Sequence, residues 1–302
     1  MKIIKGQKVI YKFKNEMDYI ERVKPKERFV VETNDCFFQQ IKSEDMTLKE
    51  LDFDCLNPAT GPIYVEGAEV GDLLKVKIID IEVEDKGVAM TIPGEGLLGD
   101  QVTKNKVKII PIEDNYAIFN GIKIPIEPMI GVIGVAPAKE DGEWPTATPW
   151  KHGGNMDTTE IKIGSTLYFP VNQEGALLAL GDCHALMGDG EICITGLEIP
   201  GKVTLEVDVI KGKYTKWPLL ETEREIMVLA SGDNLDQATY EAASQMVSHI
   251  KDALDFDFED AYMLASLVMD LKISQLVDPK ITVRAAVPKE VLATEKLLEG
   301  IK

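Results

Sequence analysis

The chain has 302 residues with 33 Lys or Arg and 51 Asp or Glu, which gives a formal net charge of −18 at pH 7. This charge excludes a protein that binds nucleic acid mainly through its phosphates, because Lys and Arg supply that affinity. The 45% apolar content excludes wholesale disorder, and no apolar run approaches the roughly 20 residues of a membrane span. Because the first residues also lack a signal-peptide pattern, the sequence predicts a cytoplasmic protein with no membrane partner.

The segment from 28 to 231 is predicted to be rich in β-strands. Gly, Pro and Asp clusters interrupt it at short intervals, and β-branched runs lie between them. Leu74–Ile78 alternates apolar and polar residues, and Ile79–Val83 alternates in the opposite phase, which predicts a β-bulge between them. The other predicted strands in this segment are Arg28–Glu32, Lys106–Ile110, Ile130–Val135, Ser165–Val171, Ala176–Ala185, Glu191–Gly196 and Val203–Val209.

Helical spacing of apolar residues begins near residue 235. The apolar residues of Leu235–Leu254 recur every three or four positions behind a capping Asp233 or Asn234, which predicts a helix. A second helix is predicted from a cap at Asp257 through Leu271, since acidic residues in its first turn complement the helix dipole.

A last strand is predicted over Ile281–Val287, before a proline. The sequence therefore predicts two parts. Residues 1–230 form a β-rich body, which can comprise two β subdomains and carries the site. Residues 231–302 form a C-terminal α+β portion with two helices.

The densest polar cluster is Gly181–Glu191. On a strand, Asp182 and His184 share one face and Cys183 points to the other. A carboxylate beside an imidazole is typical of a metal site or an acid–base pair. A two-residue loop within the Gly-Asp-Gly turn would place Glu191 on the same face, whereas a three-residue loop would reverse it. A solvated hairpin tip is the alternative interpretation.

A second polar cluster, Pro149–Asp157, contains two adjacent glycines. Gly153 and Gly154 would let the backbone approach a ligand closely. An ordinary turn is the alternative here, as it is for Asp35, which follows a predicted strand. Two of the three histidines lie in the two clusters, which favours a shared site. The polar residues flanking the glycines are His152, Asn155 and Asp157.

Five sequence blocks together span most of the chain. They are Thr60–Asp72, His152–Asp157, Gly164–Val171, Gly181–Glu191 and Ile273–Pro279. With these blocks the chain resembles the acetamidase/formamidase family of short-chain amide hydrolases, and Gly181–Glu191 is the most specific of them. The resemblance implies a mainly β fold, with a β-sandwich or jelly-roll-like body, a smaller β-barrel-like part and a C-terminal α+β portion. It also implies metal at the site, zinc and sometimes calcium.

The predicted function is metal-assisted hydrolysis of a small linear carboxamide, acetamide or formamide, to a carboxylate and ammonia. A divalent metal can strengthen a water nucleophile and polarise the carbonyl. Glu191 is the predicted general base and acid, with Asp157 next in line. Asn155 and Asp157 are predicted to orient the substrate amide beside Gly153 and Gly154. The predicted metal ligands are Asp35, His152, Asp182 and His184.

Two other functions are kept as alternatives. A non-catalytic β-sandwich module could use the same acidic loops to bind Ca²⁺, a cation that prefers oxygen ligands. The two histidines favour zinc over that alternative. A thiol hydrolase that uses Cys183 depends on a different loop register. A homodimer is also predicted, on the grounds of buried β-sheet edges and an acidic surface.

Overall fold

The computed structural model describes residues 1–301, which contain 22 β-strands, three α-helices and four single turns of 3-10 helix. The first eleven strands are β1 (Lys2–Ile4), β2 (Val9–Ile10), β3 (Lys12–Phe13), β4 (Glu21–Val23), β5 (Arg28–Thr33), β6 (Ala59–Val65), β7 (Leu73–Val83), β8 (Lys86–Thr91), β9 (Lys106–Glu113), β10 (Tyr116–Phe119) and β11 (Ile122–Pro125). The other strands are β12 (Met129–Gly134), β13 (Trp144–Pro145), β14 (Gly153–Asn155), β15 (Thr166–Pro170), β16 (Leu178–His184), β17 (Glu198–Ile199), β18 (Gly201–Ile210), β19 (Leu219–Glu221), β20 (Glu225–Gly232), β21 (Asp270–Gln275) and β22 (Ile281–Pro288).

The α-helices are α1 (Leu235–Leu254), α2 (Phe258–Val268) and α3 (Thr294–Gly300). The 3-10 turns cover Leu48–Glu50, Phe53–Cys55, Gly99–Gln101 and Lys139–Asp141. Strands hold 40% of the residues and helices 17%, which confirms the prediction of a mainly β protein. Within residues 1–301, every helix is too short or too polar to cross a membrane.

Two large sheets form the body of the molecule. The nine-stranded sheet runs in the order β1-β5-β18-β7-β15-β19-β20-β22-β21. The eleven-stranded sheet runs β11-β10-β9-β8-β17-β16-β12-β14, and β6 branches from β16 to pair with β2 and β4. Phe29 and Val76 of the first sheet share one hydrophobic cluster with Ile130 and Leu180 of the second. The body is therefore a β-sandwich. No closed barrel is found in residues 1–301, so the predicted barrel-like part is not seen as such.

The predicted β-bulge is present in β7. Thr204 of β18 pairs with Asp80, whereas the next residue, Leu205, pairs with Ile78. Ile79 is therefore the extra residue of the bulge. The insertion explains the phase change in the sequence, because it keeps the apolar residues of both halves of β7 on the face buried between the sheets.

The first helix and its cap are as predicted. The Asn234 side chain accepts a hydrogen bond from the backbone N–H of Gln237 at 2.9 Å, and α1 packs against β20 and β22. The second helix ends at Val268, so its predicted extension through Leu271 is wrong. Residues 270–275 form β21 instead, because pairing with β22 satisfies their backbone groups at the edge of the sheet.

The C-terminal portion continues the nine-stranded sheet, since β20, β21 and β22 all belong to it. The boundary between residues 230 and 231 lies within β20, and the division into two parts stays a prediction. A third helix, α3, was not predicted, because its seven residues are too few for apolar periodicity to be recognised.

Candidate active site

The site is built around the end of β16. Asp182 and His184 lie on one side of the strand, as the alternation predicts, and Asp182 Oδ1 is 3.5 Å from His184 Nε2. Asp182 has a left-handed backbone conformation, with φ of +54°, so the strand is locally irregular there. The Cys183 side chain points to the opposite side, where its Sγ is 3.4 Å from Thr33 Oγ1 in the core.

The predicted hairpin after β16 is wrong, and residues 191–196 are not a strand. β16 pairs instead with β17, where Glu198 lies directly opposite His184 and places Oε2 3.2 Å from its Nε2. The loop is held elsewhere, because the backbone N–H of Gly190 donates to the carbonyl of Ser274 in the edge strand β21 at 2.7 Å. Glu191 still reaches the site, from a turn in which its φ is +46°.

Six side chains bring ligating atoms together in two adjoining groups. In each group, one atom from every residue lies within 4.8 Å of the others. Asp157 Oδ1 is also 3.8 Å from His184 Nε2, so the imidazole lies close to carboxylates of both groups. The first group is Cys36, Asp182 and Glu198, and the second is Asp157, His184 and Glu191.

Several buried polar atoms of these groups have no hydrogen-bond partner. They are both carboxylate oxygens of Asp157, Oδ1 of Asp182, Oε2 of Glu198 and Nδ1 of His184. Buried polar atoms are normally paired, because an unpaired one loses the hydrogen bonds it made with water. A divalent cation would satisfy these atoms, and carboxylates with an imidazole and a thiol form a suitable donor set.

Buried carboxyl groups are concentrated at the site. Burial, reinforced by the charge of Asp182, raises the pKa of Asp157 to about 7. Burial also raises the pKa of Glu198 to about 8 and that of Glu191 well above its usual value. Burial alone would lower the pKa of His184, but the carboxylates of Glu198 and Asp182 raise it well above its ordinary value. The arrangement therefore favours a positive charge among these carboxylates.

Gly131 on β12 lets two of the carboxylates meet. A Cβ atom added at this glycine would lie 2.4 Å from Asp157 Oδ1 and 2.8 Å from Asp182 Oδ2. Because glycine has no Cβ atom, the two carboxylates occupy the space that a larger side chain at this position would fill. The floor of the site is therefore shaped to hold both carboxylates side by side.

Asp35 and His152, which were predicted as metal ligands, lie outside the two groups. Asp35 Oδ1 accepts a hydrogen bond from the backbone N–H of Gln39 at 2.6 Å, and burial raises its pKa to about 6. The ring centroid of His152 is 4.8 Å from that of Phe13 and 6.4 Å from that of Trp144. Burial lowers the pKa of His152 to about 3, so its ring is neutral.

Asn155 faces the site from β14. Its Nδ2 donates to Asp278 Oδ2 at 3.0 Å, while its Oδ1 is buried without a partner. Gly153 and Gly154 precede it with φ of +96° and +89°. A Cβ on Gly153 would lie 2.3 Å from the carbonyl oxygen of Ile133, and one on Gly154 would lie 2.5 Å from another carbonyl oxygen. The glycines therefore permit close backbone packing, and neither lines the cavity described next.

A cavity of about 420 Å³ opens onto the site. Its walls are partly apolar, which shields the polar groups from bulk water. The polar side chains that line it include Asn155, Asp182, Glu191, Glu198 and Asp278. The apolar ones include Phe37, Met90, Ile92 and Val277.

Three residues of the site were not predicted from the sequence. Glu198 could have been found only from the pairing of β16 with β17 across an irregular loop, which no local pattern reveals. Cys36 directly follows the predicted ligand Asp35. Asp278 lies in the Ile273–Pro279 block, one of those that carry the family resemblance, but nothing around it suggested a ligand.

We expect Cys183→Ala to keep most of the activity. The Cys183 thiol is fully buried in the core, and burial raises its pKa to about 12, which disfavours the reactive thiolate. The measurement is the rate of ammonia release by the variant, alongside its metal content and thermal stability. Loss of turnover with metal content and fold unchanged would support the thiol mechanism.

Comparison with known proteins identifies the family. A model of the Acetamidase/Formamidase family matches residues 3–145 and 140–294. The formamidase of Methylophilus methylotrophus is 27% identical in a 296-residue alignment that covers 74% of this chain and 71% of that protein. The crystal structure of an acetamidase from Bacillus halodurans has a TM-score of 0.94 at 42% identity, covering 98% of this chain and 99% of that one. The crystal structure of a predicted acetamidase/formamidase from Thermoanaerobacter tengcongensis has a TM-score of 0.94 at 45% identity and covers 98% of both chains. The chain therefore belongs to the acetamidase/formamidase family of amide hydrolases.

Proposed function

We propose that this protein hydrolyses short linear carboxamides, such as acetamide or formamide, to a carboxylate and ammonia with the help of a divalent cation. The observation that carries the proposal is the set of buried carboxylate and imidazole atoms that lack hydrogen-bond partners beside the cavity. Membership of a family of amide hydrolases supports the same reaction class.

The proposed cation would be held by Asp182, His184 and Glu198. The Cys36 thiol lies within 4.8 Å of ligating atoms of Asp182 and Glu198, and Asp157 Oδ1 lies 3.8 Å from His184 Nε2. When bound, it would supply Lewis acidity that polarises the amide carbonyl and makes water a stronger nucleophile at neutral pH. Zinc is the proposed metal, because an imidazole and a thiol are among the donors. Calcium is the other candidate, because the remaining donors are carboxylate oxygens.

Glu191 is the proposed general base and acid. It lines the cavity, it is buried, and it lies within the group that includes Asp157 and His184. From there its carboxylate can take a proton from the attacking water and pass it to the leaving nitrogen, so that ammonia departs as a neutral molecule. Asp157 is the alternative proton acceptor, since it occupies the same group.

Asn155 is proposed to orient the substrate. Its Nδ2 is occupied by Asp278, which leaves the unpaired Oδ1 free to accept a hydrogen bond from the substrate NH₂ group. This contact would direct the amide nitrogen toward the carboxylates that deliver the proton. The Asp278 carboxylate thereby fixes the side-chain amide of Asn155 in the orientation that the substrate needs.

The test is ammonia release from formamide, acetamide and propionamide by protein loaded with zinc, loaded with calcium, or treated with a chelator. We expect release from at least one amide by a metal-loaded form and its loss after chelation. Absence of ammonia from all three amides with either metal would overturn the proposed reaction. Full activity after complete metal removal would overturn metal assistance alone.

The family relationship does not support the alternative of a non-catalytic calcium-binding module.

A homodimer and a cytoplasmic location stay predictions. The homodimer is supported by α2, which precedes the edge strand β21 in the chain and exposes Phe258, Tyr262, Met263 and Leu267.

A further inference from the structure

Arg284 is a buried cation outside the proposed ligand groups. Only 1% of its surface is exposed. Its strand, β22, alternates so that Val283 and Ala285 pack in the cluster formed with the helices, whereas Ala286 packs in the cluster between the two sheets. Arg284 shares the face of Ala286, and its side chain therefore lies inside the sandwich. A charge buried there must be paired, since an isolated one would be very costly.

The Arg284 guanidinium joins three different segments of the chain. Its Nη1 donates to Thr159 Oγ1 at 3.1 Å, and its Nη2 donates to the carbonyl oxygen of Ile273 at 3.1 Å. Nη2 also forms an ion pair with Asp189 Oδ2. Thr159 closes the network by donating from its hydroxyl group to Asp189 Oδ1 at 2.7 Å.

Each of these segments carries a carboxylate of the site. Thr159 follows Asp157 by two residues, and Asp189 precedes Glu191 by two residues. The third segment begins in β21 at Ile273 and continues to Asp278, which holds Asn155. One guanidinium thus connects the chain segments that place the two candidate proton acceptors and the carboxylate that orients Asn155.

Further hydrogen bonds tie the same segments together. The backbone N–H of Gly190 donates to the carbonyl of Ser274 at 2.7 Å, and the N–H of Leu276 donates to the carbonyl of Gly190 at 3.1 Å. The Thr158 hydroxyl lies 2.8 Å from the Ser274 hydroxyl. Gly190 in the loop of Glu191 forms an isolated parallel bridge with Gln275 of β21, so the position of the loop depends on these contacts and on Arg284.

We propose that Arg284 is a positioning residue for the amide hydrolysis proposed above, acting through Thr159 and Asp189 to fix Asp157 and Glu191 in register. The inference rests on the proposed function only for its kinetic readout. Replacing Arg284 should change kcat strongly, because general acid–base groups act only within hydrogen-bond reach of the proton they transfer. A displacement of about 1 Å can cost about 10²-fold in rate.

The kinetic test uses Arg284→Lys, Thr159→Val and Asp189→Asn. The lysine keeps the charge but cannot contact all three segments at once, because it lacks the planar fork of the guanidinium. We expect kcat to fall by about 10²-fold in Arg284→Lys. We expect smaller losses of kcat in Thr159→Val and Asp189→Asn, with KM and metal content close to those of the wild type in all three. Wild-type kcat in both Thr159→Val and Asp189→Asn would overturn the proposal. If Arg284→Lys does not fold, the kcat values of these two variants alone test the proposal.

Lys272→Met is the matched control. Lys272 lies directly opposite Arg284 in the pairing of β21 with β22, but its ammonium binds Glu225 at 2.6 Å and not Thr159 or Asp189. We expect this variant to keep wild-type kcat. A kcat loss in Lys272→Met equal to that in Arg284→Lys would overturn the specific role of Arg284.

A second readout does not depend on activity. Hydrogen exchange in peptides that cover residues 156–159 and 188–191 should be faster in Arg284→Lys than in the wild type, while peptides from α1 and β20 keep their protection. Unchanged exchange in both loops would overturn the proposal. A wild-type protein without amidase activity would instead overturn the proposed function, and hydrogen exchange would still decide whether Arg284 fixes the loops.

Discussion

Replacing Glu191 with Gln is expected to lower kcat for a short amide by about 10²–10⁴-fold, the usual contribution of a general acid–base group. Gln keeps the volume of the buried side chain and its ability to form hydrogen bonds, but it cannot accept the proton from water. The Glu191 side chain lines the cavity and lies beside Asp157 and His184. The measurements are kcat and KM from ammonia release, metal content and thermal stability, and we expect only kcat to change strongly.

Glu160→Gln is the matched control for this variant. Glu160 follows Asp157 closely in the sequence, but its carboxylate is partly exposed and lies 3.5 Å from Lys162 Nζ at the surface. The same chemical change there should leave kcat unaltered. Two results would contradict the role of Glu191. Loss of metal from Glu191→Gln would make Glu191 a ligand, with Asp157 then the candidate base, and a near-wild-type rate would remove Glu191 from the mechanism.

The parts of the fold that the sequence predicts well are those set by local patterns. The phase change in β7 revealed the bulge at Ile79, because burial of one sheet face fixes which residues alternate. The cap at Asn234 and the spacing behind it located the start of α1. The end of α2 was not predictable in this way, because Leu271 fits a helical pattern and only pairing with β22 makes it part of a strand.

The candidate site was predictable where neighbours along one strand share a face. Asp182 and His184 meet for that reason. Glu191 reaches the site, but by a turn tied to β21 and not by the predicted hairpin. Glu198 and Asp278 come from distant segments, and no spacing in the sequence relates them to His184. Long-range sheet pairing decides their positions, which is why residue patterns alone could not reveal them.

His184→Ala is expected to weaken metal binding by more than about 100-fold, the upper end of the loss seen when a residue that only supports a ligand is changed. The His184 imidazole lies 3.2 Å from Glu198, 3.5 Å from Asp182 and 3.8 Å from Asp157, so its removal takes the nitrogen donor from the centre of the carboxylates. Metal content after dialysis against buffered zinc would measure the loss. In addition, a chelator should lower the melting temperature of the wild type more than that of the variant, because a ligand at about 1,000 times its Kd stabilises the native state by about 4 kcal/mol and a more weakly bound ligand stabilises it less.

The chain supplies its own controls for this prediction, since it has three histidines. His152→Phe preserves an aromatic ring beside Phe13, outside both ligand groups, and we expect it to keep its metal. His249→Gln changes a buried residue of α1 and should affect stability without affecting metal content. Loss of metal from His152→Phe would support His152 as a ligand, as the sequence predicted. Full metal content in His184→Ala would mean that the imidazole is not needed to hold the cation. Because the remaining donors are then mainly carboxylate oxygens, this result would favour calcium over zinc.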